Sequence, residues 1–422
     1  MIGESIQKSA LPNGIRLLTM PMSHLYSVSI GIWVDAGARD EATDEGGLSH
    51  FIEHMIFKGT RRRSAYQIAK EFDAIGGATN AFTSMENTCY YAKVMNGHLL
   101  AVVDILADIF LNSVFDQNEI ERERPVICQE ISMLEDSPDE LVHHLAGQTF
   151  WGDHPLGRPV IGTRENLLQF DSDDLKRFFR KLYQPERIII SAAGMIDPLE
   201  FIDLLHPVFE MLPPAGEFPQ RKKPTNRFQI QVHSRDQEQV HLCLGSKGLA
   251  ISNPDRYAIS LLNTILGGNM SSRLFQEIRE QYGLAYSIYS FINSFEDAGM
   301  FGIYAAVSPD HAVETVERIL AAIRKLKEEP VSADELQSAK DYTKGALLLS
   351  AESNDNQMIR LAQQEIHFGR HVPMEEVLSR IDAVSTQDLL ALSRRLFDDD
   401  RVALTTLGPI ADESLFSGLM KQ

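Results

Sequence analysis

A chain that repeats itself at long range has few architectures open to it, and this one does so three times in order. Val28-Ser29-Ile30-Gly31-Ile32-Trp33-Val34 reads as a strand and is answered 212 residues later by Val240-His241-Leu242-Cys243-Leu244-Gly245. Tyr91-Ala92-Lys93-Val94, leading into a helical pattern from Leu99 to Phe110, is matched at an offset of 213 by Tyr304-Ala305-Ala306-Val307, leading into His311 to Leu326. Phe115-Asp116-Gln117-Asn118-Glu119-Ile120 then matches Val331-Ser332-Ala333-Asp334-Glu335-Leu336 at 216, with Asp116 and Ser332 as helix N-caps and Glu119 and Glu335 at the capping-box position. The 422 residues therefore suit two related domains of roughly 200 residues each. Each half mixes strands with helices, which predicts an α+β unit, an antiparallel sheet with helices on one face. Between them Leu212-Pro213-Pro214-Ala215-Gly216-Glu217-Phe218-Pro219, followed by Gln220-Arg221-Lys222-Lys223-Pro224, loses all apolar periodicity. The expected division is 1–212, a linker over 213–225, and 226–422.

Composition narrows the function classes. Apolar residues at 44% and charged residues at 23% describe a globular protein rather than a disordered one. The net charge of −19 argues against nucleic acid as a partner, because phosphate binding needs a positive surface. Cys89, Cys128 and Cys243 are odd in number and lack CxxC spacing, so they read as small buried hydrophobes. No basic segment followed by an apolar run opens the chain, and no stretch of ~18 apolar residues occurs in it, so the expectation is a cytoplasmic protein without a membrane segment.

The segment that carries chemistry is Gly46-Gly47-Leu48-Ser49-His50-Phe51-Ile52-Glu53-His54-Met55-Ile56-Phe57. Nothing after Gly47 breaks a helix. On a helix His50 and His54 stack on one face, with Glu53 one turn from His50. Two neutral imidazoles are good zinc ligands, and a carboxylate beside the metal can take a proton from an activated water. The order His-x-x-Glu-His inverts the commoner His-Glu-x-x-His arrangement. Phe51, Ile52, Met55, Ile56 and Phe57 make the segment apolar enough to be buried, where unpartnered His and Glu side chains would be costly. A catalytic zinc takes three protein ligands, so a third lies elsewhere. The helix opened by Asp116 offers Glu119, Glu121, Glu123, Glu130 and Glu135, and spacing alone does not choose among them. Glu123 and Glu130 share a face, whereas Glu121 and Glu135 suit a solvated one. Pro125, inside that helix, predicts a kink.

These motifs, with Leu11-Pro12-Asn13-Gly14 and Phe57-Lys58-Gly59-Thr60, resemble the pitrilysin and insulinase family of inverted-zincin metallopeptidases over essentially the whole chain. The nearest likeness is to the branch of the mitochondrial processing peptidase beta subunit and its bacterial relatives. The resemblance implies a third ligand 76 residues beyond His54, at Glu130, and an orienting carboxylate seven residues earlier, at Glu123. It implies that substrate adds as a strand along Asn80-Ala81-Phe82-Thr83-Ser84, with Asn80, Ala81 and Phe82 in contact, by β-augmentation. It further implies that Arg279 and Tyr286 hold substrate and stabilise an oxyanion, for which a cation and a phenol are suitable donors.

Only one half is equipped for a metal. The counterpart of Glu130 falls near Ala346, and the counterpart of the metal helix, Tyr257 to Leu266, contains no histidine. One zinc per chain follows, although ligand type alone also admits cobalt or manganese. The resemblance implies that each half is a pair of α+β units, that the halves form a clamshell around peptides or unfolded segments, and that chains pair as homodimers. Its rivals are a scaffold subunit of the same fold and a peptide carrier that does not cut.

Overall fold

The computed structural model describes residues 6–213, 218–398 and 401–419, so Pro214 to Glu217 of the expected linker lie outside the described residues. Eleven strands build two mixed sheets among them. The first contains β1 (Gln7–Ala10), β2 (Arg16–Pro21), β3 (Ser27–Val34), β4 (Ala78–Thr83), β5 (Thr88–Met95) and β6 (Ile188–Gly194), in the order β1-β2-β6-β3-β5-β4. The second contains β7 (Ile230–Ser234), β8 (Val240–Lys247), β9 (Ala285–Ser294), β10 (Gly299–Val307) and β11 (Val402–Gly408), in the order β7-β11-β8-β10-β9. Pairing is antiparallel except β2 with β6 and β7 with β11, the strands that close each half. The repeat seen in the sequence is a repeat of register: Gly31 opposite Tyr91 in the first sheet becomes Cys243 opposite Tyr304 in the second.

Each unit holds a single sheet. Each compact unit is assembled from three segments of the chain. One compact unit comprises 1–132, 158–221 and 349–371, and the other comprises 133–157, 222–348 and 372–422. The cause is an exchange of equivalent helices. The helix Pro138–Trp151 of the first half packs on β8 and β11, and its counterpart Asn354–Phe368, 216 residues on, packs on β2, β3 and β6.

The exchange explains why the central strands β3, β6 and β8 are buried on both sides, as strands covered on both faces are. In β3 the residues Val28, Ile30, Ile32 and Val34 face one core, shared with the helix Leu99–Asn112. Trp33 faces the other core, where it meets Met358 and Leu361 of the exchanged helix. Gly31 makes room for that helix, since a Cβ there would lie 2.4 Å from Met358 Sδ. Helices therefore cover both faces of the first sheet. Cys89, Cys128 and Cys243 are free thiols, the first and last buried. No helix among the described residues is long and apolar enough to cross a membrane.

Candidate metal centre

The centre is built on α1 (Leu48–Met55), a helix of eight residues and thus too short to hold its shape alone. Leu48, Phe51, Ile52 and Met55 bury one face of it in the first core, which turns His50, Glu53 and His54 the other way. The N-terminus is fixed by two devices. Gly47 sits at φ 100°, and a Cβ there would come within 2.9 Å of Gly162 Cα and Ile161 O. Glu41, buried and six residues upstream, accepts hydrogen bonds from the amides of Gly47 and Ser49, each at 2.8 Å, so a distant carboxylate does the work of a cap. Burial pushes that carboxyl up to about 8, while the two amides pull it back.

A second helix, Gln117–Asp136, supplies the rest. Asp116 caps it by accepting from the amides of Asn118 and Glu119, as its sequence predicted. The helix continues through Pro125, and both Glu123 and Glu130 reach α1 from it. Glu130 Oε2 lies 3.7 Å from His50 Nε2 and 3.4 Å from His54 Nε2. One donor atom each from His50, His54 and Glu130 falls within 4.8 Å of the others, the one such group found among the described residues. Ligands at the usual zinc distances in a tetrahedron stand ~3.3–3.5 Å apart, so the observed spacing and the two-imidazole, one-carboxylate donor set fit zinc. Glu123 Oε1 pairs at 2.9 Å with His54 Nδ1, which turns Nε2 toward Glu130. Glu121, by contrast, is exposed and pairs with Arg124.

The charges are arranged for a cation. Burial, with His54 beside it, lowers His50 to about 4, which leaves its imidazole neutral and its lone pair available. Burial would lower His54 as well, but the Glu123 hydrogen bond and the charge of Glu130 outweigh it and raise the group. Glu53 is raised by burial, with Thr83 and His54 pulling it back, and its Oε2 is buried without a hydrogen-bond partner. A carboxylate shifted upward, with His54 and Glu130 near enough to act on its charge, is suited to proton transfer.

The other predicted residues divide between the units. Asn80, Ala81 and Phe82 lie on β4, the edge strand of the first sheet, which packs against α1. Asn80 is exposed, and its side-chain oxygen accepts from the Ala81 amide at 2.9 Å. Arg279 and Tyr286 belong to the second unit, where the Arg279 guanidinium lies 5.7 Å from the Tyr286 ring centroid and 4.6 Å from that of Phe275. Tyr286 is 80% exposed. Sequence reasoning missed Glu41, Thr83 and Lys58 as neighbours of the centre. Only Lys58, one turn past His54, carried a signal that could have drawn notice.

Comparison with known proteins decides the family. Residues 22–164 match the model of the insulinase family, peptidase family M16, and residues 169–342 match that of the peptidase M16 inactive domain. The chain belongs to peptidase family M16. An uncharacterised zinc protease of Bacillus subtilis is 40% identical over 96% of this chain and 98% of its own length. Another from Streptomyces coelicolor is 36% identical over 97% of this chain and 91% of its own. Among solved structures, a protease from Helicobacter pylori superposes with a TM-score of 0.90 at 23% identity, covering 96% of this chain and all of that one. A peptidase M16 inactive domain from Pseudomonas fluorescens gives 0.88 at 19%, covering 96% and 99%. The M16 fold follows from these two, and zinc protease is the name its bacterial relatives carry.

Proposed function

We propose that this M16 chain is a zinc-dependent endopeptidase that hydrolyses peptides or unfolded polypeptide segments, in the manner of a processing peptidase. One observation carries the reading: His50, His54 and Glu130 converge on one point, with a half-buried, upward-shifted Glu53 beside it. One zinc per chain is part of the proposal, His50, His54 and Glu130 being the ligands. Zinc, when bound, supplies Lewis acidity to a water and to the scissile carbonyl. Glu53 takes the proton from the attacking water and returns it to the leaving amine. Glu123 keeps His54 Nδ1–H engaged, so that Nε2 remains the ligand atom. Substrate lies along β4, gripped by backbone hydrogen bonds at Asn80, Ala81 and Phe82. Arg279 and Tyr286 hold it and donate to the developing oxyanion. The catalytic role belongs to residues 1–212 and a substrate-binding role to the inactive 226–422, joined by the linker at 213–225. An enclosing chamber, the homodimer and a place near the processing-peptidase beta subunit rest on the resemblance alone.

Zinc content and cleavage of an unstructured fluorogenic peptide test the reading, comparing wild type with Glu53→Gln. The expected result is about one zinc in both proteins and a loss of turnover of roughly 10²- to 10⁴-fold in the variant. A wild type that lacks stoichiometric metal, or cuts no faster than the variant, moves the scaffold or carrier reading ahead.

A further inference from the structure

The turn that ends α1 carries one more group into the centre. Lys58 lies three residues past the metal helix, in the turn that its amide closes by donating to Met55 O at 3.1 Å. Its Nζ lies 2.5 Å from Glu123 Oε2, and the other oxygen of that carboxylate is the one paired with His54. The Glu123 side chain is only 9% exposed, so it has little water to turn to if either partner is lost. A continuous path thus runs from Lys58 through Glu123 and His54 to the point where the ligand atoms meet.

We propose that Lys58 is a positioning residue for the metal centre, holding Glu123 in the rotamer that orients His54 and so governing how long zinc is retained. This rests on the zinc-peptidase reading of the site. Two physical arguments support it. A carboxylate has several rotamers within reach of an imidazole, and a cation fixed on its second oxygen selects one of them. The centre also gathers three carboxylates, Glu53, Glu123 and Glu130, around two imidazoles. A divalent ion offsets two of those charges, and Lys58 is placed to offset the third. Lysine does this with its charge and not with its shape, so arginine should substitute and a neutral chain should not.

The test uses the full chain loaded with zinc and follows metal transfer to an excess of chromogenic chelator. Lys58→Met should release zinc roughly ten to a hundred times faster than wild type, the usual effect of losing an outer partner of a ligand. Lys58→Arg should restore most of the difference. In a Glu123→Gln background Lys58→Met should add no further acceleration, because the lysine acts through that carboxylate. Unfolding midpoints of the metal-free variants separate positioning from general destabilisation, and Lys58→Gln serves if the methionine variant does not fold. Release at the wild-type rate from a folded Lys58→Met, or equal acceleration with and without Glu123, overturns the inference alone. A wild type that holds no zinc overturns the peptidase reading and this inference together.

Discussion

The two units use the same strands in the same order for different ends. β2, β6, β3, β5 and β4 of the first sheet correspond in turn to β7, β11, β8, β10 and β9 of the second, yet the helices laid beside them differ in kind. In the first unit α1 turns His50, Glu53 and His54 away from the core. In the second the helix Arg256–Leu266 buries Ile259, Leu261, Leu262, Ile265 and Leu266. Burying imidazoles and a carboxylate without full partners costs stability, and leucine and isoleucine in the same place add to it. The fold therefore does not need the site. The site needs the fold, together with Glu41, Lys58 and Glu123, which hold a short helix and its histidines in register.

The sharpest way to break the comparison is to remove a ligand on one side and alter its counterpart on the other. Glu130→Gln should weaken zinc binding by more than the roughly hundredfold that loss of an outer partner costs, and turnover should fall with it. Ala346→Gln, on the exposed face of the helix Ala333–Ser350, should leave zinc content and turnover unchanged. Metal analysis of the two purified variants checks both statements. Zinc retained by Glu130→Gln at the wild-type level would remove that residue from the ligand set.

A second difference lies where each sheet receives the exchanged helix. In the first unit the anchor is apolar: Met358 is fully buried and its sulfur accepts from Trp33 Nε1 at 3.4 Å. Met358→Ala should destabilise the protein by about 2–5 kcal/mol, as truncation in a well-packed core does. A urea midpoint close to that of wild type would mean that the exchanged helix is held by its polar ends instead. Those ends are Asp355, which pairs with Lys93, and Glu365, which pairs with Lys8 and Arg16.

What could be read in advance follows the range of the interactions. The His-x-x-Glu-His helix, the Asp116 and Ser332 caps and the shared strand register are local or periodic patterns, and the structure reproduces each of them. The helix exchange was not legible, because the pattern of Pro138–Trp151 says that a face will be buried and not which sheet buries it. The repeat pointed to self-contained halves instead. Glu41 was invisible for a related reason, and the position of Lys58 one turn past His54 was only a faint signal. An isolated charge beside a motif looks like a solvated one until the fold brings up the amides of Gly47 and Ser49, or the carboxylate of Glu123.

The smallest expected effect concerns the second anchor, which is polar and titratable where the first is not. His143 of the exchanged helix stacks on Tyr304, with centroids 5.2 Å apart, and shares a hydrogen bond of 2.8 Å with the Tyr289 hydroxyl. His241 bonds the Tyr304 hydroxyl at 2.9 Å. Burial lowers His143, His144 and His241 below the ordinary histidine value, although Asp139 or Glu140 nearby pulls each of them back. The sign follows from linkage. At neutral pH both folded and unfolded states hold these rings neutral. Below about 6.5 the unfolded chain takes up protons that the folded unit resists, so their contribution to stability falls as pH falls. His143→Gln should therefore cost about 1 kcal/mol at about pH 7.5, through the lost hydrogen bond, and the gap to wild type should narrow toward about pH 5.5. Urea midpoints of the two proteins across that range decide the matter. A gap that stays constant would show that His143 titrates alike in both states and that its packing on Tyr304 alone holds the helix. A gap that closes would make the second unit's anchor sensitive to acid through a residue whose counterpart in the first unit, Ile359, carries no charge at all.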